Sequence, residues 1–282
     1  MRHTQLIALI LTLFTVLSCE KEINLNLPSS KPELVVEACI NDRFPTLNYV
    51  YLTQTTDYFS LKLDVGGLKG AKVFITEGEL SGSDTIFSMA NRVQMLEVTL
   101  SNIPPGLYIN PLLEPRQGHI YKLEIYYEDK YIVGTTYLNT RTVIAKADYE
   151  VIGVEDGNNR AYLSFEYIDP PEPSFYRFAF TFDRDSNLAG WGASESFRIL
   201  NDDNLNGQKR EVTLSQKFTS GDTVNLYLGR IGRKEYQFWQ SFNAVRNSEG
   251  PFSTPAQLKS NIKGAMGSFS GYTMDHKKVI IR

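Results

Sequence analysis

The chain has 282 residues, with 29 lysine and arginine residues against 32 aspartate and glutamate residues and a formal net charge of −3 at pH 7. A mildly acidic chain without basic clusters lacks the charge that phosphate neutralisation needs, which argues against a nucleic-acid partner. Only two cysteines occur, which excludes a framework of several disulfides.

The first residues predict export. Residues 6–17 are apolar apart from Thr12 and Thr15, and they follow a basic start at Arg2. At about 1.5 Å per residue, this stretch covers about 18 Å of a hydrocarbon core of about 30 Å, which is too short for a permanent span. We therefore predict a signal peptide over residues 1–18.

The signal ends in a sequence that resembles a bacterial lipobox, Val16-Leu17-Ser18-Cys19. In such a motif the cysteine sulfur accepts diacylglycerol. Two or three acyl chains on Cys19 hold a protein at a bilayer, because each buried methylene contributes about 0.8 kcal/mol. The alternative is an ordinary signal peptide followed by an incidental cysteine. Cys39 then has no disulfide partner, and its apolar surroundings predict a buried structural thiol.

A polar tether over residues 19–32 follows the signal. It opens with Glu20, Lys21 and Glu22 and contains two prolines and two serines, which favours an extended linker. The acidic opening resembles the sorting signals that send Bacteroidota lipoproteins to the outer face of the outer membrane. We therefore predict a lipid anchor in the outer membrane with the protein at the cell surface. The periplasmic face of that membrane is the alternative.

Residues 33–142 predict a first β-sandwich domain, either immunoglobulin-like or transthyretin-like. Aromatic and β-branched residues are frequent there, and glycine and proline turns separate short strand-like runs. The predicted strands cover residues 34–41, 49–57, 71–77, 84–89, 96–100, 121–127 and 131–138.

Residues 143–282 predict a second β-domain packed against the first. Within residues 233–248, Phe238, Phe242 and Val245 recur on one face, which is typical of a helix packed on a core. The predicted fold class is therefore mainly β, with two packed β-sandwich domains and one short helix near the carboxyl-terminal end. The predicted strands of this half cover residues 146–154, 160–167, 176–183, 197–200, 210–216, 223–229, 264–270 and 277–282.

Several short segments carry a resemblance that spans nearly the whole chain. They are residues 19–25, 32–37, 53–59 (TQTTDYF), 70–73 (GAKV), 118–123 (GHIYKL), 202–207 (DDNLNG), 251–255 (PFSTP), 260–262 (SNI) and 266–272 (MGSFSGY). In this order they resemble a family of Bacteroidota lipoproteins catalogued as domain of unknown function 4249. The resemblance implies an outer-membrane lipoprotein that is commonly encoded beside a TonB-dependent receptor. It supplies no catalytic residues.

One motif resembles a metal site. Asp202, Asn204 and Asn206, followed by Gly207, match the first half of a calcium-binding loop. The twelfth position, where such a loop has a bidentate glutamate, is Thr213. The Asn-Gly pair is also a strong hairpin signal. We therefore interpret the segment as a plain turn, and we predict no metal and no cofactor.

Catalytic motifs are missing from the sequence. His119 and His276 have no spacing that suggests a zinc pair, and no G-x-S-x-G sequence occurs. A pair of catalytic carboxylates meets only in three dimensions, so the sequence leaves that class open. Trp191 lies in a glycine-rich loop and Phe252 in the loop 247–255, and both are candidate contacts for a sugar or a partner. For each, the alternative is a ring that packs onto the protein.

Together these features favour a non-enzymatic surface lipoprotein. We expect it to be an accessory or ligand-capture partner of an outer-membrane β-barrel of the TonB-dependent type. The alternatives are a free-standing adhesion or scaffold lipoprotein and a glycan hydrolase. The sequence does not identify the ligand.

Overall fold

The computed structural model describes residues 31–45, 48–56, 66–82, 84–101, 103–183, 197–202, 206–247 and 257–282. Residues Pro32–Arg282 form one compact unit, which is mainly β. Its strands are β1 Leu34–Asn41, β2 Tyr49–Gln54, β3 Lys72–Ser81, β4 Asp84–Glu97, β5 Leu107–Ile109, β6 Ile120–Tyr127, β7 Lys130–Tyr137, β8 Ile144–Glu155, β9 Asn158–Ile168, β10 Phe175–Phe182, β11 Arg198–Asn201, β12 Lys209–Thr219, β13 Thr223–Ile231, β14 Ile262–Lys263 and β15 Met266–Ile280. The helix α1 covers Arg233–Arg246.

The strands form two sheets. Twelve of them are hydrogen-bonded in the order β11-β10-β13-β15-β1-β2-β5-β4-β3-β6-β7-β14, and β12, β9 and β8 form the second sheet. Strands β1 and β15 run parallel, although they lie near opposite ends of the chain. Gly267 makes this close pairing possible, because a Cβ atom there would lie 1.8 Å from the carbonyl oxygen of Val36. The first and last strands therefore sit side by side at the centre of the large sheet.

Two hydrophobic cores give the molecule its sandwich-like architecture. The first core collects buried side chains from β1 to β7, such as Val36, Ile75 and Leu123, and it also includes Phe269 of β15. The second core joins the three-stranded sheet to β10, β13 and β15, with Phe165 among its buried residues. Strand β15 therefore contributes to both cores. The predicted boundary between residues 142 and 143 stays a prediction, as does the immunoglobulin-like or transthyretin-like form of the first half.

The helix α1 covers a third cluster on the large sheet. Phe238 and Trp239 are buried against residues of β13 and β15, including Tyr227 and Met274. The mainly β class and the helix near the carboxyl-terminal end are thus confirmed, and the helix ends two residues earlier than predicted. Among the described residues, no helix has the length and apolar character that crossing a membrane needs.

Two pairs of predicted strands are single strands in the structure. The runs 84–89 and 96–100 were predicted as separate strands, but β4 is continuous from Asp84 to Glu97 and pairs with β3 and then with β5. The runs 264–270 and 277–282 were separated by polar residues that β15 buries. The carboxylate of Asp275 accepts hydrogen bonds from Arg43 Nη1 and from the Ile144 amide, both at 2.9 Å. These bonds make a polar residue acceptable in a central strand.

Candidate functional site

The outer face of β4, β3, β6 and β7 carries an exposed group of aromatic and charged side chains. Successive residues of a strand point to opposite faces, so the residues between the core positions Ile75, Leu123 and Ile125 face outward. The register places these outward side chains in neighbouring rows across the four strands. We call the group formed by Phe74, Arg92, Lys122, Glu124, Tyr126 and Tyr131 the platform.

The platform exposes aromatic rings to water. Tyr126 and Tyr131 are cross-strand partners whose ring centroids lie 5.1 Å apart, with 40° between the ring planes. They are 41% and 48% exposed, although tyrosine rings of this size are usually largely covered in a folded protein. Phe74 packs edge-on against Tyr126 at 6.2 Å. The three rings form one continuous surface.

Glu124 connects the polar parts of the platform. Its carboxylate accepts a hydrogen bond from the Tyr131 hydroxyl at 3.1 Å and a longer one from the Tyr126 hydroxyl at 3.5 Å. Arg92 Nη2 and Lys122 Nζ each lie 3.5 Å from its other oxygen. Burial, and then the contact with Glu124, raises the pKa of Tyr131 above its ordinary value. Since Glu124 is only 8% exposed, these contacts hold the four side chains in fixed positions.

The cations of the platform also lie over aromatic rings. The guanidinium carbon of Arg92 is 3.8 Å from the centroid of the Phe74 ring, and Lys122 Nζ is 5.0 Å from that of Phe87. Such contacts contribute about 0.5–1 kcal/mol each at exposed sites. Beneath them, Thr76 Oγ1 and Arg92 Nε are buried and make no hydrogen bond to any described residue. The platform therefore combines ring faces with polar atoms that have hydrogen-bonding capacity left.

A second cluster lies in the interior, beneath α1. Arg177 is 1% exposed, and its guanidinium carbon lies 3.9 Å from the ring of Trp239 and 4.2 Å from that of Phe197. The Tyr272 hydroxyl accepts hydrogen bonds from Arg177 Nη1 at 3.0 Å and from Trp239 Nε1 at 3.1 Å. The adjoining cavity has a volume of about 10 Å³. That volume accommodates about one water molecule, so the cluster is a packing feature of the interior rather than a ligand pocket.

The Cys39 thiol lines the same small cavity. It is buried, as predicted, and burial raises its pKa well above the ordinary value, against the opposing effect of the Arg177 charge. A thiol with a raised pKa is a poor nucleophile at neutral pH. The environment of Cys39 therefore favours a structural role.

Comparison with known proteins identifies the family. The model of the family described as Domain of unknown function (DUF4249) matches residues 20–278, which is most of the chain. The chain belongs to the DUF4249 family. The structure is also similar to the crystal structure of a DUF3823 family protein from Bacteroides uniformis, with 12% sequence identity, coverage of 90% of this chain and 100% of the other, and a TM-score of 0.23. No curated protein matches the sequence.

Most of the residues that the sequence singled out in this DUF4249 protein lie outside the described residues. They are Cys19, Glu20, Lys21, Glu22, Trp191, Asn204 and Phe252. Phe197 and Leu258 both belong to the hydrophobic cluster beneath α1. The predicted roles of these residues in lipidation, sorting and binding stay predictions.

The described part of the calcium-like turn places its aspartate inside the protein. Asp202 is buried, and its carboxylate accepts a hydrogen bond from the Ser174 amide at 2.5 Å. Asn206 is exposed at the other end of the turn. Nothing in this geometry tests a bound ion, and the plain turn stays our interpretation. Among the described residues, no group of three or more histidine, cysteine, aspartate or glutamate side chains is positioned to hold a metal.

The two histidines of the DUF4249 domain lie in ordinary polar contacts. His119 Nδ1 is 2.8 Å from a carboxylate oxygen of Glu77, and His276 Nε2 is 2.9 Å from the side-chain oxygen of Asn225. Burial lowers the pKa of His276, and the nearby Arg43 charge adds to this effect. Neither histidine is part of the platform.

The platform itself was not predicted from the sequence. The strands β3, β6 and β7 were predicted, and Arg92 lies between the two runs that were predicted for β4. The hairpin of β6 and β7 contributes Lys122, Glu124, Tyr126 and Tyr131, whereas Phe74 and Arg92 come from β3 and β4. In β6, inward-facing and outward-facing residues alternate, and Lys122, Glu124 and Tyr126 occupy the outward positions. An aromatic residue in that outward row is the feature that could have revealed the platform.

Proposed function

We propose that this DUF4249 protein is a non-enzymatic outer-membrane lipoprotein, anchored through acylated Cys19 and exposed at the cell surface. It captures a ligand for an outer-membrane β-barrel of the TonB-dependent type. The lipobox and the charged tether support the anchor and its location. The family resemblance supports the barrel as partner.

The platform is the observation that carries the capture role. Solvent-exposed aromatic rings beside fixed charged groups are typical of a surface that binds another molecule. The small cavity under α1 has no room for a ligand larger than water. The platform, by contrast, is open to solvent at Tyr126 and Tyr131.

The exposed β3–β4 hairpin suits contact with the barrel. It carries Leu80, Ile86 and Met89, each more than half exposed. The register pairs Leu80 with Thr85 and Ile86 with Glu79, so Leu80 and Ile86 point to opposite faces of the hairpin, and a partner that encloses its tip would cover both. The hairpin projects from the same strands that form the platform, so a partner held there would lie near a captured ligand.

Crosslinking of the native acylated protein in gently solubilised outer membranes tests this proposal, with the captured proteins identified by mass spectrometry. We expect a TonB-dependent barrel with the wild type and loss of that barrel with the double substitution Ile86→Asp and Met89→Asp. The matched control is Val154→Asp with Ile168→Asp, which charges two equally exposed aliphatic positions on the other sheet. Recovery of the wild type alone would contradict the proposal.

The anchor is tested separately by labelling cells with an alkyne analogue of palmitate. We expect label on the wild type and none on the Cys19→Ala variant. Protease treatment of intact cells then reports the face, because a surface-exposed protein is degraded and a periplasmic one is protected. Equal labelling of the two forms would exclude the anchor at this cysteine.

A further inference from the structure

We infer that the platform binds an anionic carbohydrate chain, with sugar rings on Tyr126 and Tyr131 and an acidic substituent at Arg92 and Lys122. The inference rests on the proposed capture role and names its ligand class. It depends on the chemistry of the rings, the charges of the face and the distance between them.

The tyrosine rings of the platform suit a sugar. A pyranose ring has faces of C–H groups and an edge of hydroxyl groups, so it packs flat on an aromatic ring while its edge forms hydrogen bonds. Tyr126 and Tyr131 present such rings, each exposed by nearly half. Their hydroxyls are directed to Glu124, which fixes both rings before any ligand arrives. Rings that are already fixed lose little conformational entropy on binding.

The face that carries the platform has an excess of positive charge. Strand positions on this face, taken from the register, carry four cations against the single carboxylate of Glu124. The cations are Lys72, Arg92, Lys122 and Lys263. This face is therefore positively charged, although the whole chain has a net charge of −3. The turn after β6 adds Glu128, Asp129 and Lys130, which leaves the positive excess at the opposite end, near Arg92 and Lys122.

The two cations of the platform are only partly neutralised by Glu124. Arg92 and Lys122 are held 3.5 Å from Glu124, but one carboxylate balances only one of their charges. A second anionic group is therefore favoured beside them, and a guanidinium binds a carboxylate or a sulfate through paired hydrogen bonds. Arg92 Nε is buried and makes no hydrogen bond to a described residue.

The spacing of the two parts suits a chain rather than a single sugar. Tyr126 and Lys122 are four residues apart on β6, which corresponds to about 13 Å along a strand. A few linked sugar rings span this length. Phe74 and Glu124 lie in the row between them, so a chain along the strand direction contacts the platform throughout. A flat protein partner would instead match the aliphatic β3–β4 hairpin, where no such charge is concentrated.

Isothermal titration of the full acylated protein in detergent micelles tests the inference with defined probes. Tetragalacturonate supplies ring faces and carboxylates, and a chondroitin sulfate tetrasaccharide supplies ring faces and sulfates. The methyl ester of tetragalacturonate keeps the rings without the charge, and polyglutamate keeps the charge without the rings. We expect binding of one or both anionic sugars, binding about tenfold weaker for the ester, and none for polyglutamate. Preference between the first two probes identifies the acidic group.

Substitutions locate the site. Tyr126→Ala with Tyr131→Ala should weaken binding of the anionic sugar about tenfold or more, since two stacking contacts are lost. Replacing both with phenylalanine keeps the rings and should change binding by about twofold at most. Arg92→Gln with Lys122→Gln should reduce the affinity for tetragalacturonate to that of its ester. The matched control is Tyr162→Ala with Lys209→Gln on the three-stranded sheet, which should bind as the wild type does.

Several results would overturn the inference. They are wild-type protein that binds neither anionic sugar, equal binding of polyglutamate, equal binding of the ester, and full affinity in the tyrosine-to-alanine variant. If the alanine variant does not fold, as judged by its near-ultraviolet circular dichroism, the phenylalanine and glutamine variants still decide. Recovery of a barrel partner together with absence of sugar binding would reject the ligand class and leave the proposed function standing. Sugar binding without a barrel would do the reverse.

Discussion

Arg92 and Arg177 lie at nearly the same distance from an aromatic ring, with their guanidinium carbons 3.8 Å from Phe74 and 3.9 Å from Trp239. They differ in how far water reaches them. Arg177 is buried beneath α1, whereas Arg92 is only partly covered on the platform. A cation over a ring is worth about 0.5–1 kcal/mol when exposed and about 2 kcal/mol or more when desolvated. The same contact therefore stabilises the interior in one place and leaves a charge available for a ligand in the other.

The carboxylates of the two regions also differ in their surroundings. Glu124 on the platform has cations and tyrosine hydroxyls around it, while Glu235 on α1 is buried and accepts hydrogen bonds from the Thr136 hydroxyl, at 2.7 Å, and from its own backbone amide. Charge is thus compensated where the surface is open. In the interior, burial raises the pKa of Glu235.

The largest expected effect comes from removing the buried cation. Arg177→Ala should lower the free energy of unfolding by about 3 kcal/mol, because it deletes a large buried side chain and its contacts with two rings. Urea titration followed by tryptophan fluorescence measures this change. A loss of less than about 1 kcal/mol would show that the interior arginine is no more important for stability than an exposed one.

The substitution Glu235→Gln should change how the free energy of unfolding depends on pH. Burial raises the pKa of Glu235, against the smaller opposing effect of the Thr136 hydrogen bond. The folded protein then keeps a proton that the unfolded chain releases, so wild-type stability falls as pH rises from about 4.3, the ordinary glutamate pKa, to the folded pKa.

Glutamine keeps an oxygen that accepts from Thr136 and has no proton to lose. We expect the variant and the wild type to be about equally stable at about pH 3.5 and the variant to be more stable at about pH 8, as measured by urea unfolding at each pH. Glu124→Gln is the contrast on the platform, where loss of the charge should give no gain at high pH. A stability difference that does not vary with pH would contradict the assignment.

Arg92→Ala should have a smaller effect on folding. We expect a loss of about 1 kcal/mol or less, because the Arg92 side chain is 20% exposed and its contact with Glu124 is long, at 3.5 Å. Its effect on ligand affinity should be larger than its effect on stability. If unfolding free energy falls as far as in Arg177→Ala, the platform is a structural element and the contrast between the two arginines fails.

The smallest effect is expected for Tyr131→Phe. The substitution removes the hydroxyl that donates to Glu124 and keeps the ring, so the free energy of unfolding should fall by about 0.5–1 kcal/mol. Thermal unfolding of both proteins in the same buffer provides the measurement. Phe74→Leu, which leaves that hydrogen bond in place, serves as a comparison on the same face.

Much of the local structure was predictable. The strands β1, β6 and β7 and the helix α1 agree with the predicted runs within a few residues, because short-range alternation and a helical apolar face are visible in the sequence. The polar middle of β15 was not, because Asp275 is stabilised by Arg43 and the Ile144 amide, which are distant in the chain. A prediction that uses only neighbouring residues treats such a polar residue as the end of a strand.

The residues alone predicted the mainly β class, the carboxyl-terminal helix and the resemblance to the DUF4249 family, and they supply the prediction of a lipid anchor at Cys19. The pairing of β1 with β15, and the meeting of rings and charges from four strands on one face, became visible only in the folded structure. The reason is physical. Strand alternation is a property of neighbouring residues, whereas the platform depends on which strands pair and in what register, and long-range packing sets both.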